Sequence, residues 1–354
     1  MQHVVVVGAG IIGAAAAFAL SQTGARVTVI DGAQAGGGAT GASFGWINAS
    51  FHQNDHHFRL RRAAMAAHRR LDALVPGHVS WGGCYWNEAQ GDAQLAFAAR
   101  LSGLGYPVES LDAVEVGRRL PALARPEPML WFPEEGVVDP DRYAQALLRA
   151  AGAELWAGMR VDRLLETGGR VTGVETSAGR IVADAVVVAS GTGSPDLMQS
   201  VGLTLPMLNR PGLLVRTSPV APITTAVLCG LAGEIRQRAD GRLILPTAIG
   251  HQGDTTEKIV ELPGDLAREA VERTSRMFNG VALKVEQVAL GHRPVPKDGL
   301  PVLDMPLPGL AVAVMHSGVT LAALAGGAIA DLISKGATDP LWHPYRLGRF
   351  AGVT

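Results

Sequence analysis

The sequence holds little charge and few aromatic rings. Of its 354 residues, 18% are Asp, Glu, Lys or Arg and 5% are Phe, Trp or Tyr. The 31 basic and 32 acidic residues nearly cancel, leaving a formal net charge of −1. Such a chain has no field with which to collect nucleic acid or anionic lipid, so neither is an expected partner. Only two cysteines are present, Cys84 and Cys229. They match no ligand spacing such as CxxC. They read as reduced thiols, and no metal is expected. Internal repeats and low-complexity segments are missing as well. So is an unbroken hydrophobic run. Residues 4–20 carry recurring glycines with no basic segment ahead of them, and residues 309–333 are split by His316, Ser317 and Gly318. Each reads as a buried strand, a turn and a helix rather than a membrane span or export signal. A soluble, cytoplasmic protein is expected.

Glycine, by contrast, is plentiful, at 44 residues in a chain that is 47% hydrophobic. That composition and length suit an α/β protein rich in tight turns, with room for two domains. The chain opens "VVVVGAGIIG". Residues 4–7 form a continuous β-branched run, as in a parallel strand buried on both faces. Gly8, Gly10 and Gly13 then spell GxGxxG. The first glycine allows a tight turn, the second lets the backbone approach a pyrophosphate, and the third lets a helix pack on the strand. Ile11 and Ile12 open that helix, whose N-terminus offers N–H groups to phosphate. The next strand, "ARVTVID", ends at Asp31, close to the spacing at which an acid takes the ribose hydroxyls. Strand, glycine turn, helix and acid together point to adenine-dinucleotide binding. The acid disfavours a 2′-phosphate and so NADP. FAD and NAD both remain open on this motif.

The stretch "DGAQAGGGATGASFGWINASF", residues 31–51, separates them further. An ordinary NAD domain runs from its second strand into a helix. Here residues 32–45 are a long loop of small residues, and loops of this length are usually functional. Gly32, Gly38, Ala39, Thr40, Ser43, Phe44 and Gly45 suit a chain wrapping an extended cofactor with a diphosphate and a polyhydroxyl tail. GAGIIG, the acid and then GATGASFGWI resemble the D-amino-acid-oxidase-like family of FAD-dependent oxidoreductases. That family includes glycine oxidase, sarcosine oxidase and D-amino-acid dehydrogenase. Two further segments extend the resemblance. Residues 137–196 read as a helix, a β-meander and a buried strand ending "ASGTGS". Residues 291–333 join "GHRPVPKDG" to "GLAVAVMHSGVTLAALAGG". The resemblance implies an α/β fold, α+β overall. A Rossmann-like FAD domain with a parallel sheet and β-meander would take residues 1–80, 137–206 and 300–354. A substrate domain on a largely antiparallel sheet would take 81–136 and 207–299.

The same resemblance places Val161 at the adenine side and Ser190–Gly191 near the diphosphate. Gly318, Val319 and Thr320 fall at the helix terminus that meets the flavin N1–C2=O edge, where His316 would add charge. Arg293 falls where glycine-oxidase-like members hold the substrate carboxylate, and Trp46 and Asn48 beside the ring. The implied reaction is oxidation of the C–N bond of an amino acid or secondary amine. Hydride passes from the α-carbon to flavin N5, and the imine then hydrolyses. Non-covalent FAD is expected, because neither cysteine lies in the C-terminal region. O2, a quinone or another electron carrier would be the oxidant. The alternative is a non-catalytic or partner-dependent FAD-binding subunit of a hetero-oligomeric amine or opine oxidase. A homo- or hetero-oligomer is compatible with either. The amphipathic pattern over 53–75 predicts a helix whose arginines, Arg59, Arg61, Arg62, Arg69 and Arg70, form a solvated face. Arg216 and Arg236 lie on strands whose register decides whether they reach a pocket.

Overall fold

In the computed structural model, residues 1–352 are described. Strand His3–Val7 lies inside a six-stranded sheet, with Val4, Val5 and Val6 fully buried. Arg26–Asp31 and then Glu154–Ala157 run parallel on one side. Ala185–Val188 and Leu310–Val314 run parallel on the other, and Val302–Leu307 closes that edge antiparallel. Runs such as "VVVV" and "AVVV" are buried on both faces, which explains why they are continuous rather than alternating. Helices Ile11–Ser21, Asp55–Leu74, Pro140–Ala151 and Gly318–Lys335 pack as a layer on this sheet. Gly326 has a specific reason there: a Cβ on it would lie 2.5 Å from the Ala15 carbonyl oxygen. The two helices touch backbone to backbone. Gly318–Lys335 is long and apolar enough to cross a membrane, yet 61% of it is buried inside the fold. The three-stranded meander is Val161–Thr167, Arg170–Thr176 and Gly179–Val182.

A second, eight-stranded sheet is built from other stretches of the chain. Its order is Val285–His292, Pro211–Thr217, Leu243–Pro246, Gly233–Gln237, Val227–Gly230, Cys84–Asn87, Met129–Phe132 and Glu109–Leu111. All pairs are antiparallel except Val227–Gly230 against Cys84–Asn87. The Asp240–Gly241 turn joins two of these strands, with Gly241 at φ +85°.

Three local expectations change. Residues 32–45 are not all loop, since Gly38–Gly41 makes one helical turn. "VALKVEQVALGHRP", whose alternation reads in sequence as a strand pair, gives one strand along Pro211–Thr217, because that ladder satisfies its backbone over eight residues. The helix Asp55–Leu74 forms, with Asn54 capping it by accepting from the His57 N–H. However, its arginines are not one solvated face. Arg59, Arg69 and Arg70 are exposed, whereas Arg61 is 2% exposed. Arg61 shares the buried stripe with Phe58, Met65 and His68, at helical spacing.

Candidate active site

Two cavities open between the sheets. One, about 510 Å³, runs along the carboxyl ends of the central parallel strands, where open α/β sheets place their ligands. The other, about 310 Å³, lies against the eight-stranded sheet. They share Ala39, Ser43, Pro294, His316 and Val319, so one leads into the other. Both volumes suit small-molecule sites.

The larger cavity is floored by the glycine turn. A Cβ on Gly8, at φ +109°, would lie 2.4 Å from the Ala189 oxygen, and one on Gly13 would lie 1.8 Å from the Gly8 oxygen. Strand, turn and helix therefore meet with no side chain between them. No side chain from Gly10 caps the helix. Of the expected cofactor residues, Gly8, Gly10, Ile11, Ile12, Asp31, Gly32, Gly38, Ala39, Thr40, Ser43, Val161, Ser190, Gly191, Gly318 and Val319 all line this cavity. Gly13 lies beneath it. Phe44, Gly45, Trp46, Arg293 and Thr320 line the smaller cavity instead. A helix N-terminus and, beside the turn that leads into it, the Asp31 carboxylate give the N–H donors and the acceptor a dinucleotide requires, so the residues fit FAD. Asp31 does more than face a ribose. Its Oδ2 accepts from the Ala9 N–H at 2.7 Å and its Oδ1 from the Ala33 N–H at 2.7 Å. It therefore fixes the turn and the start of the glycine stretch together.

That stretch is latched at both ends. On the nucleotide side, the Gly36 N–H donates to the Ala9 carbonyl at 2.9 Å, and Thr40 Oγ1 accepts from the Ile11 N–H at 3.0 Å. On the other side, two strand arginines hold it. Arg216 Nη2 donates to the Gly41 carbonyl at 2.7 Å, and Arg236 Nε donates to the Phe44 carbonyl. Neither arginine lines either of these two cavities. Arg236 is 4% exposed and also donates from both terminal nitrogens to Asp139 Oδ1, each at 3.0 Å. Asp139 occupies the cap position of helix Pro140–Ala151 without capping it, because its carboxylate is taken by Arg236 and Arg238.

In the smaller cavity, Trp46 stands between the ring contacts of Phe44 and Phe51. Its Nε1–H donates at 2.8 Å to Glu135 Oε2, a fully buried carboxyl that also accepts from Ser50 and Tyr106. The indole therefore offers the cavity carbon rather than its polar edge. Burial pushes the Glu135 pKa up to about 7 against the pull of these three donors and of Arg61. His316 does not bring the charge expected of it. Burial first, then the positive fields of His251, Arg293 and Arg61, hold its pKa down to about 3, so it is neutral. The Gly318 N–H turns back to the His316 carbonyl at 2.8 Å, and the Thr320 hydroxyl is engaged with the Trp46 carbonyl at 3.0 Å. Among the expected N–H donors at this helix end, Val319 and Thr320 remain. Arg293 reaches the cavity wall but is closely partnered. Its Nη2 lies 2.6 Å from Asp254 Oδ2, and its other donors meet the carbonyls of Arg210, Pro211 and His251.

Sequence reasoning missed Arg61, Glu135, Asp254 and the clamping role of Arg216 and Arg236. It also missed that Glu88, Cys229 and Glu234 bring three ligand-type atoms within 4.8 Å of one another. No local spacing marks any of these. For Arg61 alone a signal existed, its place on the apolar stripe of the helix. Both cysteines are buried and unpaired, with burial raising their thiol pKa values, so neither is a reactive thiolate.

Residues 3–332 match the family model DAO, described as FAD dependent oxidoreductase. A D-amino acid dehydrogenase of Cereibacter sphaeroides is 28% identical, over 95% of this chain and 93% of its own length. A glycine oxidase of Pseudomonas aeruginosa is 26% identical, over 97% of each. Among solved structures, glycine oxidase from Geobacillus kaustophilus superposes with a TM-score of 0.84 at 26% identity, covering 99% of both chains. L-proline dehydrogenase from P. horikoshii shares the fold, with a TM-score of 0.86 at 21% identity and cover of 99% and 98%. The match spans nearly the whole described chain and both cavities, and the chain therefore belongs to the DAO family of FAD-dependent oxidoreductases.

Proposed function

We propose that this enzyme oxidises the C–N bond of a small amino acid or secondary amine using non-covalently held FAD. The observation that carries this reading is the junction of the two cavities at Ala39, Ser43, Pro294, His316 and Val319. A dinucleotide-shaped cleft there empties into a small compartment walled by apolar residues, Arg61 and the Arg293–Asp254 pair. Bound flavin supplies the two-electron acceptor for hydride leaving the α-carbon. The six-stranded sheet segments, within 1–80, 137–206 and 300–354, hold the cofactor. Segment 207–299 lines the substrate compartment, and 81–136 backs it through the hold of Glu135 on Trp46.

The chain's own residues bind and orient. The Gly8–Gly13 turn and Thr40 meet the diphosphate together with Ser190 and Gly191, Asp31 takes the ribose, and Val161 lies at the adenine end. The N–H groups of Val319 and Thr320 face the pyrimidine edge of the ring. Neutral His316, Trp46 and Phe44 wall the reacting centre and exclude water. The substrate reacts as the neutral amine, and no acid–base dyad is needed. The imine product hydrolyses, and O2 or a quinone recovers the oxidised cofactor. Related chains carry names with D- and L-amino acid, glycine and proline substrates, in keeping with one fold serving several amines.

The deciding experiment mixes the purified protein anaerobically with a panel of D- and L-amino acids, glycine and N-alkyl glycines. Bleaching of the flavin band by at least one is the expected result. A flavin that none of them reduces would defeat the proposal. Asp31→Ala is a separate check on the cofactor assignment. It leaves the part-buried Ala9 N–H without its acceptor, a loss of about 1–3 kcal/mol, and the exposed Ala33 N–H to water. Loss of flavin on dialysis, and at least a tenfold weaker Kd by flavin fluorescence (~1.4 kcal/mol), are expected. A flavin Kd like that of the unmodified protein would remove Asp31 from the site.

A further inference from the structure

Arg61 and Arg293 both line the smaller cavity, but they are differently occupied. Arg293 already has an anion, Asp254, and spends its remaining contacts on three backbone carbonyls. Arg61 has none. It is 2% exposed and lines the cavity together with Asn48, His316 and Ser317. Its Nε donates to the Asn48 carbonyl at 3.1 Å, its Nη2 to Asn48 Oδ1 at 2.6 Å, and its Nη1 to Ser317 Oγ. All three acceptors are neutral. Among the described residues no carboxylate forms an ion pair with it. Glu135, whose charge it feels, keeps its oxygens for Ser50, Tyr106 and Trp46. A guanidinium has five N–H groups, so two of those on Arg61 remain unspent. A buried cation held only by neutral acceptors is costly until an anion completes it. The planar fork is also the side chain best matched to a carboxylate.

We propose that Arg61 takes the carboxylate of the substrate, and that Arg293 acts instead on the protein, fastening Asp254 and its segment as the opposite wall. The inference rests on the amino-acid reading above and deepens it. It makes the acid group, not the amine, the part of the substrate that enters first and deepest. It also distinguishes this pocket from one in which a single wall arginine does the work, because here Arg293 is neutralised from within the chain by Asp254.

The test uses the FAD-loaded enzyme with Arg61→Gln, Arg61→Lys and Arg293→Gln. Two readouts are taken. The first is calorimetric titration with propionate, a carboxylate that cannot react. The second is anaerobic flavin reduction by the best amino acid of the panel and by its carboxamide. Arg61→Gln is expected to weaken propionate and the amino acid by about a hundredfold or more, while the carboxamide changes no more than a few-fold. Arg61→Lys, which keeps the charge, should recover part of that loss. It also decides the matter if the Gln variant fails to fold, through the ratio of acid to amide. Equal losses for acid and amide would overturn the proposal. So would propionate binding unchanged in Arg61→Gln, no propionate binding in the unmodified enzyme, or an acid-specific loss seen only in Arg293→Gln. A shifted flavin midpoint potential without discrimination between acid and amide would give Arg61 to the cofactor, and likewise overturn it. If no amino acid reduces the unmodified enzyme, the functional reading falls, and the propionate titration still decides on Arg61 by itself.

Discussion

Arg236→Ala is expected to release the flavin and to lower the stability of the protein by about 3–5 kcal/mol. The guanidinium is buried and makes two kinds of contact that one alanine removes at once. Both terminal nitrogens donate to Asp139 Oδ1, and Nε donates to the Phe44 carbonyl. Asp139 keeps its contact with Arg238 at 3.0 Å, which places the expected loss toward the lower end. The functional consequence comes through Phe44. With that carbonyl unbound, the glycine stretch keeps its nucleotide-side latches but is held on the other side only by Arg216 at Gly41 and by the Val138 N–H at the Gly45 carbonyl, among the described residues. Glycine has much backbone entropy to regain once untied. Arg236→Lys retains a charge for Asp139 but cannot fork between carboxylate and carbonyl. It should rescue part of the stability and less of the flavin content. Thermal melts of flavin-free protein, paired with the flavin-to-protein absorbance ratio after gel filtration, separate the two effects. A full flavin complement in Arg236→Ala would mean that the stretch holds its shape unaided.

The nucleotide half of the site was legible because it is local. Gly8, Gly10, Gly13 and Asp31 fall within one strand–helix–strand unit, and each is demanded by backbone geometry or by a strand end. The order of the later segments added Val161, Ser190 and the helix at Gly318. The substrate half was not legible, because its key contacts join residues remote in sequence. Trp46 meets Glu135 across 89 residues, and Arg61 meets Ser317 across 256. A charge on a helix reads as solvated unless a neighbouring element covers it. That cover comes here from the helix and the turn at 316–318. Arg216 and Arg236 show the complementary limit. Alternation along a strand identifies two faces, but not which loop lies over either of them. Asp31 lines the larger cavity, but its hydrogen bonds to Ala9 and Ala33 are invisible to spacing.

Glu135→Gln is expected to remove a slope from the stability–pH curve that the unmodified protein carries, whereas Glu135→Leu should cost about 3 kcal/mol or more. The sign follows from the direction of the shift. The folded pKa, at about 7, lies above the ordinary glutamate value of 4.5, so the native state binds more protons than the unfolded chain between those two values. Stability from this group is therefore present below about pH 4.5, declines as pH rises toward 7, and is level beyond it. The whole decline is on the order of 3 kcal/mol. Gln can replace the neutral carboxyl almost contact for contact. Trp46 Nε1 can only donate, so the amide oxygen must face it. The Ser50 and Tyr106 hydroxyls can reverse and accept from the amide N–H2. Leu leaves all three groups buried without a partner, each worth about 1–3 kcal/mol. Buried His57, His68 and His316, with pKa values held down to about 3 or 4, act in the opposite sense and lose stability as pH falls. The readout is accordingly the difference between Glu135→Gln and the unmodified protein, from urea midpoints between pH 4.5 and 8. That difference should be near zero at the acid end and favour Gln at the alkaline end. A difference that does not change with pH would show that Glu135 is ionised throughout. The indole of Trp46 would then be held by a full negative charge next to the compartment in which, on the present reading, Arg61 receives a carboxylate.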